Sequence, residues 1–194
     1  MSIFFLGAIV IVIAFILSVW QKWIPKYWIW LFFVAFLLGS TWEFGFTALE
    51  MTYESEPGGT LLEGARTKST NGHIDLDSGF LVGLYGVAIF SIWDAGIFLI
   101  GAILVWLIMR RPPFQTFNWS ELTILLGWGQ FQCFAIEFSA ISEGYWAYWA
   151  TFWNPELFPY QNGSITLWPQ LVWVIAYLVF YACALRISKA AEVG

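Results

Sequence analysis

Five long apolar stretches, separated by shorter polar segments, dominate the chain. Each is close to or above the roughly 20 residues that an α-helix needs to cross the hydrocarbon core of a bilayer. The pattern therefore predicts an all-α integral membrane protein with one transmembrane domain over residues 1–194. The predicted spans cover about residues 3–20, 28–50, 79–109, 121–149 and 167–186.

The basic residues predict how these spans are oriented. With five spans, six of the eight Lys and Arg residues fall on one side of the membrane. The other two lie in the long polar loop 51–78 on the opposite side. The positive-inside rule then places the N-terminus outside and the C-terminus in the cytosol. We expect an endoplasmic reticulum membrane in a eukaryote, or the inner or plasma membrane in a prokaryote. The six clustered residues are Lys22, Lys26, Arg110, Arg111, Arg186 and Lys189.

Composition narrows the possible functions. Hydrophobic residues make up 60% of the chain and charged residues 11%, against about a quarter charged in ordinary soluble domains. A water-soluble enzyme is excluded, and a net charge of −5 provides no basic patch for nucleic acid. The chain has no CxxC motif and no histidine cluster, and His73, Asp75 and Asp77 are interpreted as a solvated loop end. We therefore predict no metal and no cofactor.

Three acidic residues lie well inside the predicted spans, where an ionisable side chain is costly and marks a functional site by default. Counted from the cytosolic helix ends, Glu43, Asp94 and Glu137 lie about 14 or 15 residues into the membrane, or roughly 21–22 Å at 1.5 Å per residue. No Lys, Arg or His shares this depth. Desolvation and mutual repulsion then favour a proton on at least one carboxyl group. Hydrogen bonds that only hold helices together are the alternative interpretation.

Aromatic residues at nearly the same depth, and polar or aromatic residues on the same helix faces, extend this pattern. A tryptophan precedes the acid on the second and third spans, a glutamine lies seven residues before Glu137, and aromatic residues form a stripe on the fifth span. Helices two to five are thus predicted to form a bundle around a polar and aromatic chamber, with helix one outside. The candidate substrate-binding residues are Trp42, Trp93, Gln130, Trp173, Tyr177 and Tyr181.

Such a chamber suits acid-initiated chemistry on a hydrophobic lipid. A protonated carboxyl group can donate to an alkene or epoxide, and aromatic faces stabilise the resulting carbocation. A second carboxylate can remove a proton elsewhere on the substrate. We expect isomerisation or cyclisation of an isoprenoid or sterol-like lipid that enters from the membrane, with Glu43 as the acid. Asp94 and Glu137 are the predicted base or charge partner.

Five short segments of the chain carry a resemblance to a known family: Gly39-Ser40-Thr41-Trp42-Glu43-Phe44, Trp93-Asp94, Arg110-Arg111-Pro112-Pro113, Gly129-Gln130 and Leu167-Trp168-Pro169. They resemble the emopamil-binding-protein-like (EXPERA) group of membrane proteins, which includes sterol isomerases and, more distantly, fungal membrane-bound terpene cyclases. The resemblance implies a lipid-handling helical bundle, with Glu43 as proton donor by its similarity to the cyclase acid motif. It also places Asp94 near the third-helix acid of the isomerases.

The chain also departs from that group. Trp42 stands about where the isomerases keep a histidine, and Tyr177 about where the cyclases place a second acid. Those cyclases have seven spans. Two other functions stay open on the sequence alone: a lipid-binding or sterol-binding membrane protein without catalysis, and a small structural subunit of a larger membrane complex. A homo-oligomeric partner stays open as well.

Overall fold

A computed structural model describes residues 3–48, 52–53, 80–143, 147–148, 150, 152, 154–161 and 163–193. These residues form five helices and two pairs of antiparallel strands. The helices are α1 (Ile3–Trp20), α2 (Trp28–Ala48), α3 (Phe80–Met109), α4 (Trp119–Glu143) and α5 (Leu167–Val193). The strands are β1 (Thr52–Tyr53), β2 (Ala147–Tyr148), β3 (Glu156–Tyr160) and β4 (Gly163–Thr166).

The five helices correspond to the five apolar stretches, so the prediction of a helical protein is confirmed. Within the described residues, three helical segments are long and apolar enough to cross a membrane: Gly86–Met109, Trp119–Glu143 and Leu167–Ala191. The apolar parts of α1 and α2 are shorter, at Phe5–Trp20 and Trp28–Phe44. The structure is therefore consistent with a membrane protein, while five spans and their orientation stay predictions.

Helices α2 to α5 form a closed ring. Contacts join α2 to α3, α3 to α4, α4 to α5 and α5 to α2. Helix α1 lies outside this ring, mainly against α3, where a Cβ atom at Gly96 would be only 3.0 Å from Ile11 Cδ1. Its Phe15 ring also stacks on Phe32 of α2 at 4.8 Å. The arrangement agrees with the predicted bundle of helices two to five, with helix one outside.

A single carbonyl group of α3 contacts both α4 and α5. The indole N–H of Trp128 donates to Ile97 O at 2.9 Å, and the hydroxyl of Tyr177 donates to the same oxygen at 3.3 Å. Gly101, one turn further along α3, leaves room for this approach. A Cβ atom there would lie 2.9 Å from Trp128 Cδ1 and 3.2 Å from Tyr177 Oη.

One end of the ring gathers the starts of α2 and α4 and the ends of α3 and α5. Trp28 and Trp106 meet there with ring centroids 5.9 Å apart. Asn118 caps α4 by accepting hydrogen bonds from the backbone N–H groups of Ser120 and Glu121 at 2.8 and 3.4 Å, as N-cap residues do. We call this the basic end because the six clustered basic residues lie there: Lys22, Lys26, Arg110, Arg111, Arg186 and Lys189.

The opposite end carries strands that the all-α prediction did not include. β3 and β4 form an antiparallel hairpin, in which Glu156 pairs with Thr166 and Tyr160 with Gly163. The Tyr160 ring packs edge-on against Phe138 of α4 at 4.6 Å. The hairpin therefore extends the apolar packing of the bundle beyond the ends of α4 and α5. We call this the hairpin end.

Two helices end at other residues than the predicted spans. Residues 147–148 belong to strand β2, which pairs with β1, and α4 ends at Glu143, before the predicted end of the fourth span at 149. The apolar and aromatic composition of that segment suits a short strand as well as a helix, which hydrophobicity does not distinguish. Helix α5 continues to Val193 and not to 186, because Ala and Lys are good helix formers. Apart from Thr52–Tyr53, the predicted loop 51–78, with His73, Asp75 and Asp77, lies outside the described residues.

Candidate functional site

Two of the predicted intramembrane acids meet across the interface of α2 and α3. Glu43 and Asp94 are close enough for their carboxyl groups to interact electrostatically. The Asp94 side chain packs on the backbone of Gly39, where a Cβ atom would lie 2.8 Å from Asp94 Oδ2. Asp94 is only 7% exposed, whereas Glu43 is half-buried. The pair therefore has an inner carboxyl group fixed by packing and an outer one closer to the surface of the bundle.

Hydroxyl groups connect the same two helices at a height between the two acids. Ser40 Oγ lies 3.0 Å from Ser91 Oγ, and Ser91 donates to the carbonyl oxygen of Val87 at 2.7 Å. Because α2 and α3 run antiparallel, Ser40 lies one turn from Glu43 towards the basic end, and Ser91 lies one turn from Asp94 towards the hairpin end. The serine contact therefore lies between the two acids along the α2–α3 interface.

Trp42 joins the acid pair to an aromatic cluster. Its indole group hydrogen-bonds to the Asp94 carboxyl group. Its ring lies 5.3 Å from the ring of Trp173 and 6.1 Å from that of Phe98, measured between centroids. Trp42 therefore contacts the acids through its N–H group and the aromatic cluster through its ring.

Phe98 lies at the centre of that cluster and is fully buried. Its ring centroid lies 4.5 Å from Tyr177 and 5.4 Å from Trp173, both on α5. Phe98 was not among the sequence candidates. The sequence could have indicated it through its spacing of four residues from Asp94, because residues four apart share one face of a helix.

Trp93 lies away from this cluster, although the sequence placed it beside Trp42. Its ring covers Gly7 of α1, outside the ring of α2 to α5. Adjacent residues on a helix point about 100° apart. With Asp94 directed towards α2, Trp93 is directed towards α1.

Glu137 and Gln130 belong to a second polar group, between α4 and α5. Gln130 Nε2 donates to the carbonyl oxygen of Gln170 at 3.1 Å. Glu137 is buried and interacts electrostatically with Cys133, which also contacts the Gln170 side chain. The structure therefore brings two of the three predicted acids together and places the third on the α4–α5 interface.

Tyr181 lies at the basic end and contacts a buried ion pair. Its hydroxyl group is 3.2 Å from Glu121 Oε2 and accepts a hydrogen bond from the Asn118 backbone N–H at 2.7 Å. Glu121 is fully buried, and its Oε1 lies 2.8 Å from Arg111 Nη2. Tyr181 therefore holds the α3–α4 connection in place, and sequence reasoning missed Glu121 as its partner.

The arrangement around Glu43 and Asp94 combines a potential proton donor, a fixed neighbouring carboxyl group and aromatic faces. These are the groups that protonation of an unsaturated lipid and stabilisation of a cation require. Comparison of the chain with known protein families, curated proteins and solved structures finds no match.

Proposed function

We propose that the protein is a membrane-embedded isomerase or cyclase that acts on an isoprenoid or sterol-like lipid. The observation that carries this proposal is the Glu43–Asp94 pair, joined through Trp42 to the cluster of Phe98, Trp173 and Tyr177. Acid and aromatic groups thus lie side by side in an apolar bundle. The resemblance of the Trp42-Glu43 segment to the acid motif of membrane terpene cyclases supports the same residue as donor.

Glu43 is the proposed acid and Asp94 its charge partner. Two adjacent carboxyl groups in an apolar environment disfavour double ionisation, so the pair retains a proton. Glu43 is the more exposed member, and its neighbour Phe44 is 55% exposed. A substrate arriving from the bilayer therefore reaches Glu43 before Asp94.

The proposed reaction begins as the Glu43 O–H bond breaks and a C–H bond forms at an alkene carbon. The electron pair of the double bond enters the new C–H bond and leaves a carbocation on the neighbouring carbon. The faces of Trp42, Trp173 and Tyr177 stabilise this charge through their ring quadrupoles. Loss of a proton from an adjacent C–H bond to a carboxylate forms the new double bond and restores the pair.

We also propose that the chain crosses the membrane five times, with the basic end in the cytosol. The membrane would be that of the endoplasmic reticulum in a eukaryote, or the inner or plasma membrane in a prokaryote. Five apolar helices and the gathering of six basic residues at one end of the ring support this topology. The helices α2 to α5 form a closed ring, and α1 packs on its outside. The outer surface of this bundle is therefore left to membrane lipids.

Deuterium transfer tests the chemistry even while the substrate is unidentified. Purified protein in D2O buffer is incubated with the total neutral lipids of its expression host, and the extract is analysed by mass spectrometry. We expect deuterium at a carbon of one isoprenoid or sterol-like lipid for the wild type. Glu43→Gln and Asp94→Asn should lose this label. The control Glu143→Gln changes an exposed glutamate at the end of α4 and should retain it.

A second function, a small structural subunit of a larger membrane complex, is favoured by the dense aromatic packing. Phe98 and Tyr177 are fully buried, and a Cβ atom at Gly129 would lie 2.5 Å from Tyr177 Cδ2. Bulk phospholipid alone in the wild type and in Glu43→Gln would establish this function in place of catalysis. One specific lipid retained by both without deuterium gain would instead indicate lipid binding without turnover.

A further inference from the structure

A cleft of about 620 Å³ opens between the first turn of α2 and the last turns of α5. It lies at the basic end, away from the Glu43–Asp94 pair. The last turns of α5 that form one wall lie beyond residue 186, where the sequence predicted that the span ends. Its lining consists of Lys26, Tyr27, Ile29, Trp30, Ile187, Ala190 and Ala191.

Most of the cleft wall is apolar. Ile187, Ala190 and Ala191 repeat at spacings of three and four residues and so form one face of α5. Ile29 and Trp30 form the opposite wall from α2, and Trp30 is 65% exposed. A tryptophan at the end of an apolar helix is typical of the membrane–water interface, so the cleft fits an acyl chain at that depth.

Lys26 is the charged residue in the cleft lining and is exposed. Its neighbour Tyr27 also lines the cleft, but its hydroxyl oxygen is buried and out of reach of a ligand there. An anionic group in the cleft would therefore pair with the Lys26 ammonium group.

We propose that this cleft binds an anionic phospholipid, with the head-group phosphate at Lys26 and an acyl chain along α5. Basic pockets between membrane helices recognise acidic lipid head groups in this way. Arg186 and Lys189 flank the α5 wall in the sequence and add positive charge at the same end. The site is separate from the proposed acid pair.

Native mass spectrometry of the full-length protein in a neutral detergent tests this site. Phosphatidylglycerol and phosphatidylcholine are titrated separately, and the bound-lipid fractions are compared. We expect tighter binding of phosphatidylglycerol, and about fivefold weaker binding for Lys26→Gln, which corresponds to about 1 kcal/mol per basic residue. Lys26→Arg should bind as the wild type does. Tyr27→Phe keeps the ring in the lining, removes the buried hydroxyl group and should bind as the wild type does.

Lys22→Gln is the matched control, because Lys22 is exposed on the same α1–α2 connection and does not line the cleft. It should leave binding within twofold of the wild type. Equal loss for Lys22→Gln and Lys26→Gln, or equal binding of the two lipids by the wild type, would overturn the proposal. Displacement of phosphatidylglycerol by millimolar inorganic phosphate would also overturn it and would indicate a site for a free anion.

Discussion

Asp94 rests directly on the backbone of Gly39, its neighbour across the α2–α3 interface. A Cβ atom at Gly39 would lie 2.8 Å from Asp94 Oδ2 and 2.9 Å from Asp94 Cβ. The second contact involves the first atom of the aspartate side chain, so a change of rotamer cannot relieve it. The absence of a side chain at residue 39 is therefore what lets the two helices approach closely enough to bring Asp94 next to Glu43.

Gly39→Ala should separate α2 from α3 at the acid pair. We expect a loss of about 1–3 kcal/mol in the free energy of unfolding, as for other overpacked cores, together with loss of deuterium transfer. Thermal unfolding in detergent measures the first effect. Gly127→Ala is the control because nothing lies within 4 Å of a Cβ atom there. It should leave stability unchanged or slightly higher, since alanine favours helices by about 1 kcal/mol. Equal melting temperatures for the two variants would contradict this packing.

Trp42→Phe should remove the hydrogen bond to Asp94 and retain an aromatic ring. We expect the antisymmetric stretching band of the Asp94 carboxylate to shift, because the carboxylate loses its indole N–H donor. Asp94→Asn identifies the band. Trp93→Phe is the matched control, since Trp93 lies against α1, and it should leave the band in place. A shift of the same size for both tryptophan variants would show that Trp42 has no specific role.

Glu121→Ala should loosen the connection between α3 and α4. The carboxylate pairs with Arg111 at 2.8 Å and accepts a hydrogen bond from the Phe114 backbone N–H at 3.3 Å. Its removal leaves the buried Phe114 N–H group without an acceptor, which costs about 1–3 kcal/mol, so we expect a clear fall in melting temperature. Glu143→Ala, at the exposed end of the same helix, should change it little. Similar falls for both variants would argue against the network.

Cysteine labelling should place the two ends of the ring on opposite sides of the membrane. Cys133 and Cys183 are first replaced by alanine, and single cysteines are then introduced at Lys22 and Glu143, which are both exposed. Intact cells treated with a membrane-impermeant maleimide should label the Glu143→Cys variant only. Lysed cells should label both. Labelling of both positions in intact cells, or of Lys22→Cys alone, would contradict the proposed topology.

Hydrophobicity predicted the helices, and predicted depth grouped two acids that interact in the structure. The apolar run that ends at Trp20 matches α1, and the equal predicted depth of Glu43 and Asp94 agrees with their electrostatic interaction. Depth alone does not determine which face of a helix a residue occupies. Tyr181 shares a stripe with Tyr177 but contacts Glu121 at the basic end, away from the level at which it was expected to line the chamber.

The remaining differences have similar physical causes. Trp93 was grouped with Trp42 because the two lie at nearly the same predicted depth, yet the third helix has neighbours on two sides and Trp93 is directed to α1. The hairpin of β3 and β4 depends on packing of Tyr160 against Phe138, a tertiary contact that a local pattern does not contain. Glu121 lies in the first turn of α4, and its burial follows from the approach of α5.

The Ile97 carbonyl oxygen of α3 accepts hydrogen bonds from Trp128 of α4 and Tyr177 of α5. These two bonds fix the positions of the three helices relative to one another along the bundle axis. Sliding α3 by one residue would move this oxygen by about 1.5 Å and turn it by about 100°. Two donors would then be left in an apolar interior, each at a cost of about 1–3 kcal/mol. Asp94 lies three residues before Ile97 on the same rigid helix. The position of its carboxyl group along the bundle axis, relative to the aromatic rings of α5, is therefore set by hydrogen bonds in which Asp94 itself takes no part.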